Sequence, residues 1–457
     1  MDPAALMQNA AALRAAQRMG EADAEIAKAR GLAPDDRLIA FLHAQSRYEL
    51  GYPAAELFAD VAKIWPENRD VIRNHALALA SEGNAEAAID LLAQTLTVTP
   101  DWLDGQRVLA GMRWTQGDVD NFDAAYRIAC KILPQNQALW LGWFSAIAQH
   151  RNWPRALEIL DMAAQHCGDS QPIAVARAFV AAESGDPSAD RQLAKCADVQ
   201  DDFLALCRIR HALRCGNPAA AAKLALPLTQ TKTAGQVWPY LSTAWRLLDD
   251  PRSQWLDGNP VYVVDIDPGF SAAELTELAV FLRQLHTAKA AYAEQSVRGG
   301  TQTDRSLLLR HEPILQQARG KLMAAMQEFA ASLPPDQTYD GLIHPLLSRP
   351  RTHLCISGSW SVCLTAQGHN VAHSHPQGWL SSAFYVSLPD AAAMGEAPAG
   401  YLQLGAPPGE LGLNLAPYQQ IQPRTGHLVI FPSTIWHGTV PTHGGERLNI
   451  AFDVVPA

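Results

Sequence analysis

The stretch Ala372-His373-Ser374-His375-Pro376-Gln377-Gly378-Trp379-Leu380-Ser381-Ser382-Ala383-Phe384-Tyr385-Val386 decides how the second half of the chain is read. From Leu380 to Leu388 it is rich in aromatic and branched residues and reads as a strand. An extended lead-in puts the imidazoles of His373 and His375 on one face, because strand side chains alternate with a period of two. A third histidine closes the run Gly426-His427-Leu428-Val429-Ile430-Phe431-Pro432-Ser433-Thr434-Ile435-Trp436-His437. Arg447 follows ten residues later, opening another strand-like run that extends to Phe452. Two ligands on one strand, a third from a neighbouring strand and an arginine across the pocket make a metal site facing a bound anion.

The order of these residues resembles the signature of Fe(II)/2-oxoglutarate-dependent dioxygenases: His-x-Asp/Glu, a distant His, then an Arg about ten residues on. HSHP, LSSAFYVSLP, GHLVIFPSTIWHGTVP and ERLNIAFD resemble one branch of these enzymes, often fused to tetratricopeptide repeats. The likeness spans roughly the last 200 residues and is strongest from 353 to 455. In that branch the middle ligand position is commonly His, as His375 is here. The resemblance implies His373, His375 and His437 as ligands of Fe(II), a metal that tolerates imidazole well. It implies 2-oxoglutarate and O2 as cosubstrates, with Arg447 as the planar fork for the distal carboxylate. Asn449 shares the strand face of Arg447, while Tyr385, Trp360 and Ser382 are weaker candidates for the pocket wall. Each residue alone has a plainer reading: a structural or surface His pair, a loop histidine at 437, a surface ion-pair partner at 447. His369, four residues before the pair, is a rival for the place of His375 as ligand. His427 and His443 receive no role.

At 457 residues, with 48% hydrophobic and 18% charged residues, the chain reads as two or three globular domains. A net charge of −10 argues against non-specific nucleic-acid binding, which needs a basic footprint. The seven cysteines (130, 167, 196, 207, 215, 355, 363) are scattered and contain no Cys-x-x-Cys pair. That pattern argues for reduced thiols, a cytoplasmic location and neither disulfide framework nor zinc site. No secretory signal and no uncharged apolar run long enough for a membrane span is read in the sequence.

Residues 1–246 are rich in Ala and Leu at helical spacing. Turn-like signals recur at Gly20, Gly51, Gly83, Gly117, Asn152 (in place of glycine), Gly185 and Gly216. Prolines at 34, 66, 100 and 134 form a second ruler. A period near 34 resembles the tetratricopeptide repeat, with Ala76, Ala88 and Ala110 as small residues at helix contacts and Phe122 as an exception. Tryptophans 102, 114, 140, 143 and 153 read as core. The array either recruits a peptide, a protein substrate or a second copy of the chain as a homodimer, or it only braces the catalytic domain. Recruitment is the leading reading.

The breaker-rich segment 247–260 reads as a linker and 261–457 as the oxygenase-like domain. Val261–Ile266 reads as a first strand, Ser271–Glu274 as a capping box, Arg298–Asp304 as a loop and Pro313–Ala331 as a helix. From Arg351 onward short β-rich runs alternate with Gly/Pro turns, the pattern of a sandwich or barrel. The family implies a double-stranded β-helix, or jelly roll. The expected fold class is therefore a multidomain α + β chain, an α-solenoid followed by that domain. The expected function is hydroxylation of a recruited peptide, protein or carrier-bound small molecule. The alternatives are an adaptor with a catalytically silent domain, and a three-histidine, cupin-type metal oxygenase that uses no 2-oxo acid. Residues 247–457 alone are expected to turn over 2-oxoglutarate, unless the repeats complete the barrel.

Overall fold

The computed structural model describes residues 2–457. Fifteen α-helices lie between Pro3 and Leu247, most of them in antiparallel pairs such as Arg37–Glu49 with Ala55–Ile64 and Arg69–Ser81 with Ala85–Val98. The turn inside each pair needs one residue with positive φ, and glycine meets that need at 51, 83, 117, 185 and 216. Gln17, Arg151 and Asp249 adopt the same left-handed conformation without being glycine. The turn residues are thus 17, 51, 83, 117, 151, 185, 216 and 249, still close to a period of 34. Two expectations are corrected by this. Gly20 lies inside the helix Met19–Leu32, and Asn152 caps the next helix by accepting from the Arg155 amide while Arg151 makes the turn.

Prolines 34, 66, 100 and 134 fall between pairs. Asp36 and Asn68 then cap the following helices, each accepting from two backbone amides. Ala76, Ala88 and Ala110 are buried, as close helix contacts require, and Trp102, Trp140 and Trp143 are buried as well. Trp114 and Trp153 are half-buried.

Packing divides the chain into two compact units: Met1–Gly142 with Gln284–Tyr292 and Thr303–Lys321, and Trp143–Arg283 with Ala293–Gln302 and Leu322–Ala457. This cut lies inside the helical array and not at 246/247, where the change of element type suggests a boundary. Within the second unit, Trp238, Leu241 and Trp245 share a core with Leu256 and Leu411. The segment read as a linker is itself packed, with Ser253, Leu256 and Asp257 all buried.

Eleven strands follow: β1 (Val264–Ile266), β2 (Val297–Gln302), β3 (Thr338–Tyr339), β4 (Leu342–Ile343), β5 (Leu354–Asn370), β6 (Leu380–Ser387), β7 (Leu402–Leu404), β8 (Gln419–Ile421), β9 (Leu428–Pro432), β10 (His437–Thr439) and β11 (Arg447–Pro456). Six of them form an antiparallel sheet in the order β1-β9-β6-β11-β5-β2, and β10-β7-β8 form a second, three-stranded one. Ala383, Tyr385, Val429 and Phe431 of the larger sheet share one core with Leu402 and Leu404 of the smaller. β3 and β4 pair separately, and the fold class is therefore a helical repeat array followed by an antiparallel β domain built on the two larger sheets.

The capping box at Ser271 is reciprocal: its amide donates to Glu274 Oε2 at 2.7 Å, and the Glu274 amide donates to Ser271 Oγ at 3.3 Å. The expected first strand is shorter, because Pro260–Tyr262 is a 3₁₀ turn. The expected loop at 298–304 is mostly β2. Its two glycines concealed it, yet they are what allows the pairing. A Cβ on Gly300 would lie 2.3 Å from the Cys363 carbonyl oxygen of β5.

Candidate metal and 2-oxo acid site

The three histidines converge. One ring nitrogen from each of His373, His375 and His437 lies within 4.8 Å of the others. His373 and His437 face each other in an isolated antiparallel bridge, exchanging backbone hydrogen bonds of 2.9 and 2.8 Å. The His375 amide donates to the Ser433 carbonyl at 2.9 Å. His437 opens β10 as expected. His373 and His375 lie in the connection between β5 and β6 and not on a strand, so these backbone bonds fix their rings in place of strand alternation.

The Nδ1 atom of each ring has a partner: the Val371 carbonyl at 2.9 Å for His373, Asp453 Oδ1 at 2.7 Å for His375 and the Ile435 carbonyl at 3.1 Å for His437. Each contact makes Nδ1 the protonated nitrogen and leaves the Nε2 lone pair available. Burial pushes His373 down to about 3 and His437 well below the usual histidine range. Both are neutral imidazoles at ordinary pH, the form that ligates a metal.

Beside the rings is a cavity of about 400 Å³, lined by all three histidines, Arg447, Asn449, Trp360 and Ser382. Arg447 is 3% exposed. Its Nη1 donates to the Gly400 carbonyl at 2.9 Å, and its guanidinium carbon lies 4.9 Å from the centre of the Tyr385 ring. Burial lowers its pKa from the ordinary arginine value. Arg447 Nε and Asn449 Oδ1 are buried without a hydrogen-bond partner. A buried cation with an unmet donor calls for an anion. Tyr385 is fully buried beneath the guanidinium and does not line the cavity. Trp360 packs edge-on against the His375 ring at 5.3 Å, and Ser382 donates to the Phe452 carbonyl at 2.8 Å.

His369 lies outside the cluster, with Nδ1 near the Gln367 carbonyl, and His427 pairs with Asp265 at 2.9 Å. Sequence reasoning missed Asp453, although a signal was there. Arg447, Asn449, Ala451 and Asp453 alternate along β11 with Leu448, Ile450 and Phe452, each of which is 0% exposed. It also missed the cavity mouth, where Glu294, Arg298 and Gln302 stand on or beside β2.

Residues 358–453 match the family model described as "Putative 2OG-Fe(II) oxygenase". The chain carries a 2OG-Fe(II) oxygenase domain. Its matched segment holds all three imidazoles and Arg447. The donor set fits the cofactors of the family, Fe(II) and 2-oxoglutarate: three imidazoles converge on one point, and a guanidinium with its Nε donor unmet lines the same cavity.

Similar solved structures include a viral collagen prolyl hydroxylase from Paramecium bursaria Chlorella virus-1 in complex with 2-oxoglutarate. It is 14% identical, covers 42% of this chain and 95% of its own, and has a TM-score of 0.28. A Pseudomonas putida prolyl-4-hydroxylase is 16% identical over 45% of this chain and 97% of its own, with a TM-score of 0.29. A tetratricopeptide repeat protein from Parabacteroides merdae is 13% identical over 54% of this chain and 97% of its own, with a TM-score of 0.34. No curated protein matches the chain. Among the described residues no helix is long and apolar enough to cross a membrane, and none of the seven cysteines forms a disulfide.

Proposed function

We propose that the chain is an Fe(II)- and 2-oxoglutarate-dependent dioxygenase that hydroxylates a peptide or protein segment, or a carrier-bound small molecule, delivered by the helical array. The observation that carries this reading is that the three-imidazole cluster and a buried guanidinium with an unmet Nε donor line one cavity. His373, His375 and His437 would hold the metal through their ring nitrogens, a ligand set that iron accepts. Arg447 grips the distal carboxylate of the 2-oxo acid and so sets the end of that molecule which faces the metal. When bound, iron and 2-oxoglutarate supply the oxidation, which consumes O2, releases succinate and CO2, and places one oxygen atom in a C–H bond of the substrate.

Val362, Ala383, Leu402 and Phe431 form an apolar floor that keeps water from competing. Glu294, Arg298 and Gln302 at the mouth offer both charge signs and an amide to a polar substrate backbone. A helical repeat array suits an extended peptide partner, since repeats of this kind are common docking surfaces for other chains. Cysteines outside any disulfide and redox-active iron suit a reducing, cytoplasmic setting.

The test is incubation of the full chain with Fe(II), 2-oxoglutarate, O2 and a cell extract. Succinate release should rise with extract, and captured polypeptides should gain the mass of one oxygen. Absence of succinate under all conditions would indicate a silent domain. Oxygen consumption that is indifferent to 2-oxoglutarate would indicate a metal oxygenase without a 2-oxo acid.

A further inference from the structure

A ligand set of three neutral imidazoles lacks the negative charge that a directly bound carboxylate brings to Fe(II). The structure places a carboxylate immediately behind it. Asp453 is 7% exposed, and its Oδ1 accepts from His375 Nδ1 at 2.7 Å and from Ser381 Oγ at 2.6 Å. Ser381 Oγ in turn lies 2.8 Å from Ser433 Oγ, and both serines are 0% exposed. The residue whose hydroxyl closes this chain, Ser433, is also the one whose carbonyl takes the His375 amide.

Two backbone features exist to make this contact. The pairing of β11 with β5 shifts register between Asp453 and Val454, an irregularity of the kind that re-aims a side chain beside an active site. Gly378, three residues after His375, lies so close that a Cβ there would be 2.4 Å from Ser433 Oγ and 3.1 Å from Asp453 Cβ. No lysine or arginine among the described residues forms an ion pair with Asp453; the basic side chain within reach of its carboxylate is the His375 ring. A carboxylate buried against neutral hydroxyls and an imidazole is costly unless a cation stands nearby.

We propose that Asp453 is a positioning residue of the metal centre, supplying through the His375 ring the negative charge that a carboxylate ligand would otherwise place on the metal. The charge is moved one hydrogen bond outward. The hydrogen bond from His375 Nδ1 to Asp453 orients Nε2 and raises its donor strength. The inference rests on the metal-site reading above, and the following experiment separates the two.

Metal-free full-length protein is titrated with Co(II), and with Fe(II) under anaerobic conditions, by calorimetry and by the visible spectrum of bound Co(II). Four variants are compared: Asp453→Asn, Asp453→Ala, His375→Asp and His375→Asp with Asp453→Asn. Asparagine keeps an acceptor for His375 Nδ1–H but no charge. Both substitutions at 453 should therefore weaken metal binding by about 10- to 100-fold, while the unfolding temperature of the metal-free protein stays at or above that of the parent. The double variant should bind more tightly than His375→Asp alone, because that single change sets two carboxylates against each other. Parental affinity in Asp453→Asn would overturn the charge role. A double variant no tighter than His375→Asp would overturn the coupling between the two positions. Failure of the parent chain itself to bind either metal would overturn the metal site as a whole.

Discussion

His373 and His437, 64 positions apart in sequence, exchange both backbone hydrogen bonds across one isolated bridge, and their ring centroids lie 4.1 Å apart. The bridge fixes two of the three imidazoles through the main chain, so removing a ring leaves the bridge in place. His437→Ala should consequently fold, with an unfolding temperature near that of the parent in the absence of metal, yet lose stoichiometric metal binding. Metal analysis after dialysis checks this. Stoichiometric iron in the variant would remove His437 from the site.

Arg447 tests the other half of the cavity. Arg447→Ala deletes the buried fork and should raise the Kd for 2-oxoglutarate by about 10- to 100-fold, the range expected for one charged hydrogen-bonded contact of about 1.5–3 kcal/mol. Metal affinity should not change. Arg447→Lys should recover only part of the loss, because an ammonium cannot reproduce the planar fork. Unchanged 2-oxoglutarate binding in the alanine variant would favour a metal enzyme that uses no 2-oxo acid.

The second compact unit contains a pH-sensitive group away from the metal. Asp257 is buried, accepts from Ser242 Oγ at 2.8 Å, and is pushed up to about 6 by burial. An acid whose folded value lies above its unfolded value of 3.8 binds its proton more tightly when folded. The folded state therefore loses stability as pH rises from about 4 to about 6, by roughly 3 kcal/mol, and the loss is constant above that. Asp257→Asn should raise the unfolding temperature at pH 8 and have little effect at pH 4. A benefit that is equal at both pH values would contradict this assignment.

A cut at residue 247 should not yield a working domain, contrary to what the sequence suggests. Trp436, next to His437, donates to the Pro239 carbonyl at 3.0 Å and packs edge-on against Tyr240 with centroids 5.1 Å apart. Arg246 reaches the Ala416 carbonyl as well as that of Gly405. Residues 247–457 alone would expose these surfaces, so they should aggregate or unfold without a cooperative transition. Cooperative melting of that fragment with retained metal binding would show that the preceding helices are dispensable.

Gly300 gives a steric test of β2 at the cavity mouth. The Cβ of Gly300→Ala would meet the Cys363 carbonyl oxygen at 2.3 Å, a backbone atom held in the β2–β5 pairing. The variant should be destabilised by about 1–3 kcal/mol, measured by denaturant unfolding. A stability equal to the parent would mean that β2 does not pair as described.

Much of this was legible because periodicity and residue order carry it. The repeat length was readable from the spacing of the turns, and the order of three histidines and an arginine, with the resemblance it carries, pointed to residues that line one cavity. Gln17 and Arg151 were not, because left-handed turns are normally read from glycine, and these positions hold the same conformation with other side chains. The β2 strand was hidden by the same habit in reverse: glycines needed for close strand approach read as a loop. Asp453 was missed because its part is defined by a neighbour 78 residues earlier, although its place in the alternation of β11 was visible.

The most direct measurement is an anaerobic titration of 2-oxoglutarate into the Fe(II)-loaded full chain, followed by the charge-transfer absorption that arises when a 2-oxo acid chelates ferrous iron. A saturable band at one equivalent, absent in His437→Ala and shifted to higher concentration in Arg447→Ala, is the predicted result. No band in the iron-loaded parent, or a band indifferent to both substitutions, would contradict the account.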